Sequence, residues 1–192
     1  MRHIPTASQT VGPFYAVGLD RPELADLTQG GKALGDTIVI AGQVRDGDGM
    51  GVSDAMLEIW QANAAGKYDH VEDRQEKPRD PHFAGFGRTF TDKNGRYRFT
   101  TIRPGAVPGR GNTLQAPHVL MTVFARGLLK HLVTRVYFAD LAAANETDPV
   151  LGKIEDEAAR RSLLAQRTDG PVPVYRFDVV LQGEGETAFF DV

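Results

Sequence analysis

The chain has 192 residues, a formal net charge of -3 and 41% hydrophobic residues. That length suits one domain, and the hydrophobic share is enough to bury a core, so disorder is excluded as the default. Charges of both signs are spread throughout, which argues against nucleic acid or an anionic membrane as the main partner. With no cysteine, disulfides, thiolate metal sites and a cysteine nucleophile are all excluded.

No apolar run approaches the ~20 residues that a membrane span needs. Met1 to Thr6 lacks the apolar stretch of a signal peptide, so a cytoplasmic location is expected. Residues 1–36 read as an N-terminal arm, with a turn forced at Gly12-Pro13 and a short helix opening at Arg21-Pro22-Glu23-Leu24. From Thr37, Ile38, Ile40, Gly42 and Val44 alternate with Val39, Ala41 and Gln43, as in a strand buried on both faces. Asp46 to Gly49 makes a turn, and Ala55 to Trp60 is the next strand. Lys67 to Pro81 is a charged loop. Asn94-Gly95 joins Arg88–Thr91 to Arg96–Thr100 as a hairpin, and Pro104 to Pro117 is a Gly/Pro loop. His118–Phe124 and Leu132–Phe138 form a second pair around Arg126-Gly127.

Ile154 to Gln166 predicts a helix, with acids early and arginines late, matching the helix dipole. Val174–Leu181 and Thr187–Phe190 close the chain as strands. The pattern predicts a mostly β fold, a β-sandwich of mixed and antiparallel strands with one or two short helices. It would form one domain over 1–192, arm 1–36 and core 37–192.

Candidate chemistry is sparse. Asp46-x-Asp48 and Asp92-x-Asn94-Gly95 resemble calcium loops only faintly and read as plain turns. Gly183-Glu184-Gly185-Glu186 carries carboxylates that would repel phosphate, so it reads as a hairpin turn. Ser8, Ser53 and Ser162 lack a nucleophile elbow. Tyr68, His70, His82 and His118 remain. On a strand, a second ligand two residues from His118 would share its face, but that position is Leu120. Two open readings of His118 follow: a hydrogen-bonded histidine at a strand end, or a metal ligand completed by Tyr68 and His70 or His82.

Three segments together carry a resemblance. They are Leu57-Glu58-Ile59-Trp60-Gln61-Ala62-Asn63-Ala64-Ala65-Gly66-Lys67-Tyr68, then Phe86-Gly87-Arg88-Thr89 through Asn94-Gly95, and Thr101-Ile102-Arg103-Pro104-Gly105. Ala116-Pro117-His118 and Val136-Tyr137-Phe138 follow in order. From Thr10 to its end the chain resembles the intradiol ring-cleavage dioxygenases. The resemblance implies chemistry at a non-haem Fe(III) held by two tyrosines and two histidines. The first tyrosine matches Tyr68 and the first histidine His118. The second tyrosine falls on Val107, the second histidine on Leu120, and an arginine of catalytic chains falls on Gln115.

The start Ser8 to Phe14 resembles both the alpha and the beta chains of heteromeric members, and the tract Val123 to Gly127 and the ending Gln182 to Phe190 resemble their alpha chains. The implied chain has no metal and no catalytic residue of its own and works with a homologous beta chain that supplies Fe(III). The implied reaction opens 3,4-dihydroxybenzoate with O₂ to 3-carboxy-cis,cis-muconate. In such an assembly Thr10, Gly12, Pro13 and Arg126 would line the substrate cavity. Arginine offers a planar fork for a carboxylate, and Gly-Pro makes a close, stiff wall. Tyr68 and His118 would be vestiges. Competing readings are a homomeric metalloenzyme, a stand-alone β-sandwich binding module, and a subunit acting on another charged catechol such as a sulfonated one.

Overall fold

The apolar run Ile38-Val39-Ile40 leaves neither face wet, and it becomes a central strand with neighbours on both sides. The computed structural model describes residues 5–191. Its strands, in chain order, begin with β1 (Thr37–Arg45), β2 (Met56–Trp60), β3 (Phe86–Phe90) and β4 (Arg96–Ile102). Next come β5 (Val107–Pro108), β6 (Leu114–Gln115), β7 (His118–Phe124) and β8 (Leu132–Phe138). The last are β9 (Leu164–Thr168), β10 (Val174–Arg176) and β11 (Val179–Val180).

One half of the sheet packs β4 antiparallel and β10 and β11 parallel against β1. The other half runs β8-β7-β2-β3 by antiparallel pairing. β9 joins them, antiparallel to β10 and parallel to β8. The halves fold over one another. Ile38, Ile40 and Phe99 from one side meet Leu57, Ile59, Val119, Met121, Val123 and Val136 from the other in a single core cluster. This is the expected β-sandwich. Along β7, Val119, Met121 and Val123 point inward, so His118, Leu120, Thr122 and Phe124 share the outer face.

The helix expected over 154–166 is a correction. Helix α3, numbered after two shorter ones below, spans only Glu157–Ser162 and is capped by the Asp156 carboxylate on the Ala158 amide at 2.8 Å. From Leu164 the chain is β9 instead. Leu163 and Ala165 are fully buried two residues apart, a strand period, and pairing with β8 and β10 outweighs the charge gradient that favoured a longer helix. The strand expected over 187–190 contributes one isolated bridge, Phe190 to Val133. Val174–Leu181 divides into β10 and β11. The loop 104–117 contains the small β5–β6 ladder.

Two short helices, α1 (Tyr15–Leu19) and α2 (Ala142–Glu146), were not expected, while the predicted opening at Arg21 is a 3-10 turn over Pro22–Ala25. The Asp46 and Asp92 carboxylates accept backbone amides of their own turns at 2.8–3.0 Å. The Gly183 turn closes through the Glu186 amide on the Gly183 carbonyl at 3.1 Å.

Candidate functional site

The outer face of β2, β7 and β8 forms the floor of a cavity of about 910 Å³. Register sets one row across it: Trp60 pairs with Leu120, and Leu120 pairs with Arg135. The next row pairs His118 with Tyr137. Two loops make the walls. One brings Tyr68, which stacks on Trp60 with ring centroids 5.9 Å apart, and the other brings Val107 and Gln115.

The loops are joined through backbone. The Gly105 amide donates to the Asn63 carbonyl at 2.9 Å, and Lys77 donates to the carbonyls of Gly66 and Ala106 at 3.2 and 3.1 Å. Gly66 has φ +78°, and a Cβ there would lie 2.0 Å from the Ala106 carbonyl oxygen, so only glycine fits. Lys67 is buried beneath and donates to the Asp73 and Gln75 carbonyls. The Asp73 carboxylate in turn holds the Tyr68 amide at 2.7 Å.

The His118 ring engages the Ala116 carbonyl through Nδ1 at 2.8 Å. Burial, helped by the Arg135 charge, lowers its pKa to about 4, so the ring is neutral at neutral pH. Burial raises the Tyr68 phenol above its ordinary value, against the pull of Arg135. Arg135 donates from Nη1 to Gln115 Oε1 at 2.7 Å and to the Tyr137 hydroxyl at 3.2 Å. Under the floor, Asp148 accepts the amides of Ala116, Val150 and Leu151 at 2.8–2.9 Å, and its Oδ1 meets the Tyr137 hydroxyl at 3.2 Å.

Thr10, Gly12, Pro13 and Arg126 gather elsewhere, at the far end of β7. Six strand steps separate His118 from Phe124, roughly 20 Å. There the Gly127 amide donates to Thr10 Oγ1 at 2.7 Å, fixing the arm to the β7–β8 corner. Gly12 accepts the Tyr15 amide at 3.2 Å and so seats α1. The Tyr15 hydroxyl donates to the Asp54 carbonyl, and burial beside the Asp54 charge pushes its pKa up to about 12. Arg126 Nε lies 3.3 Å from Asp54 Oδ2, with the arginine side chain 71% exposed. Phe14 and Val17 stand out into solvent beside it.

A sequence model of the dioxygenase family matches residues 11–183. The chain belongs to the intradiol ring-cleavage dioxygenases. Among relatives, it is 44% identical to the protocatechuate 3,4-dioxygenase alpha chain of Burkholderia cepacia, across 97% of each chain. It is 38% identical to the beta chain of the same organism's enzyme, across 88% of this chain and 74% of the other. The dioxygenase domain of a dioxygenase–carbohydrate-binding fusion from Streptomyces sp. SirexAA-E superposes with a TM-score of 0.60 at 25% identity, covering 96% of this chain and all of that one.

Intradiol dioxygenases are non-haem iron enzymes, and the cavity here does not fit that ion. Two of the four positions that the family resemblance matches to ligands carry apolar residues, Val107 and Leu120. The cross-strand partner of Leu120 is the cationic Arg135, whose guanidinium reaches Gln115 and the Tyr137 hydroxyl. His70 is at the cavity rim, its Nδ1 taken by the Glu72 amide at 3.2 Å, and His82 is not among the lining residues. Among the described residues, no three of His, Cys, Asp or Glu are placed to hold a metal ion, and no helix is long and apolar enough to cross a membrane. Sequence reasoning found Tyr68 and His118 but passed over Arg135. The available signal was its charge, the only one in the strand Leu132 to Phe138.

Proposed function

We propose that this intradiol dioxygenase chain is the iron-free alpha subunit of a cytoplasmic alpha/beta enzyme, and that the enzyme opens 3,4-dihydroxybenzoate with O₂ to 3-carboxy-cis,cis-muconate. The observation that carries the proposal is the 44% identity to an alpha chain over 97% of both chains. The two apolar residues at ligand positions, Val107 and Leu120, point the same way. Fe(III) of the homologous beta chain would take both catechol oxygens and make the ring reactive toward O₂.

This chain's share is recognition. Thr10 holds the corner, Gly12-Pro13 forms a close wall, and Arg126, exposed beside them, presents a fork to the substrate carboxylate. Phe14 and Val17, exposed on the same arm, suit burial against the partner. Asp54 serves as the resting counter-charge of Arg126.

The test is co-expression with the homologous beta-type chain, followed by mass, iron content and oxygen uptake. A hetero-oligomer with one iron per pair, active on 3,4-dihydroxybenzoate, is expected. Iron at one per chain in this chain alone would overturn the reading, as would no association between the two.

A further inference from the structure

We infer that the cavity bounded by Trp60, Tyr68, Val107 and Arg135 is a binding site for small aromatic carboxylates, separate from the corner at Arg126. The first observation is a cation without a carboxylate: the guanidinium carbon of Arg135 lies 5.8 Å from the centre of the Phe190 ring. Of the cavity's charged residues, Asp73 lies 3.7 Å from Lys67 and Glu72 lies 3.7 Å from Arg74. Among the described residues Arg135 has no carboxylate within salt-bridge distance, and its recorded hydrogen bonds run through Nη1 alone, to neutral groups. Its Nε and Nη2 are left for an anion, and a guanidinium takes a carboxylate through two such nitrogens.

The second observation is the lining. Around that cation stand the stacked rings of Trp60 and Tyr68 and the apolar Val107. A concave, largely apolar volume with a few convergent polar groups is what a small organic ligand needs. At about 910 Å³ the cavity has ample room for a single aromatic ring. The loops forming it are held by backbone bonds between Asn63 and Gly105 and by Lys77, so the site is formed before a ligand arrives. A flat ring would lie along Trp60 and Tyr68, with its carboxylate on Arg135.

Trp60 is the single tryptophan of the chain, so its fluorescence reads this cavity directly. The full chain, without its proposed partner, is titrated with benzoate, with benzamide as the uncharged analogue and with acetate as the ringless one. The expected result is saturable change with benzoate and binding at least about tenfold weaker for both analogues.

Two variants follow. Arg135→Gln removes the cation, and Gln115→Glu gives it an internal carboxylate. Both should weaken benzoate about 10- to 100-fold. Circular dichroism and the thermal midpoint report whether each is folded. If Arg135→Gln does not fold, Gln115→Glu still decides. No saturable response to benzoate, equal binding of benzamide or acetate, or unchanged affinity in the folded variants would overturn the inference. Because the partner is absent, the result is independent of whether the subunit reading holds.

Discussion

The two ends of β7 make an instructive pair. At one end His118 lines a broad cavity that opens to solvent, with its floor and walls fixed by hydrogen bonds. At the other, the Thr10–Arg126 corner is exposed, and its charge is shared with a single partly exposed aspartate. The cavity end has the appearance of an active site, yet among the described residues no three of His, Cys, Asp or Glu are placed there to hold a metal ion. The open end resembles a surface turn, yet it carries the groups that a carboxylated substrate would need. On the proposed reading, the cavity and the place where the substrate carboxylate is recognised are separable in one fold.

If the cavity end is a rigid built pocket, its supports should be costly to remove. Asp148→Ala strips buried partners from three amides, so a stability loss of at least ~3 kcal/mol is expected by denaturant unfolding. A loss under ~1 kcal/mol would mean that the floor is not held this way. His118 gives a comparable effect through pH. Its folded pKa of about 4 lies below the unfolded value of about 6.5. Between those values the unfolded chain binds more protons, so this contribution to stability is intact above pH ~6.5 and falls as the pH drops toward 4, by about 3 kcal/mol in total. Comparing unfolding of wild type and His118→Asn from pH 8 to 4 checks it: the variant should lack that component of the decline.

The open end should respond in function and hardly at all in stability. Arg126→Ala in the assembled enzyme should raise KM for the carboxylated catechol ~10- to 100-fold, from the loss of a charge-assisted contact. Its thermal unfolding should barely change, because the exposed pair with Asp54 contributes ~0–1 kcal/mol. Unchanged steady-state kinetics would remove Arg126 from the substrate cavity. Thr10→Val, losing one neutral hydrogen bond to Gly127, should give the smallest effect, a KM increase of ~2- to 10-fold measured the same way.

Much of this was legible in the residues. The alternation after Thr37 and the β7–β8 pair appear where expected. The Asn94-Gly95 turn forms, but the hairpin expected around it does not: β3 pairs with β2 and β4 with β1, so the turn carries the chain from one half of the sandwich to the other. What failed was local in origin. The 154–166 segment has helical charge placement, and only tertiary pairing makes Leu164–Thr168 a strand. Arg135 was missed because register was not readable. A tight turn centred on Arg126-Gly127 would pair Leu120 with Val133. The connection actually spans Ala125 to His131, which brings Arg135 opposite Leu120 instead. The four corner residues were named through resemblance alone, since residues in an arm and in a turn carry no periodic signal. The structure adds that Thr10 and Arg126 meet the same corner.

The close approach of Gly66 to Ala106 has an evolutionary corollary. Backbone contact and Lys77, which does not line the cavity, hold the two loops together, so lining side chains such as Val107 are spared that task. Such positions can drift without refolding the chain. A gene duplicate could exchange Tyr and His for Val and Leu on an intact frame, leaving its sibling to keep the metal. In that sense the glycine contact would have made a division of labour between paired chains accessible by single substitutions.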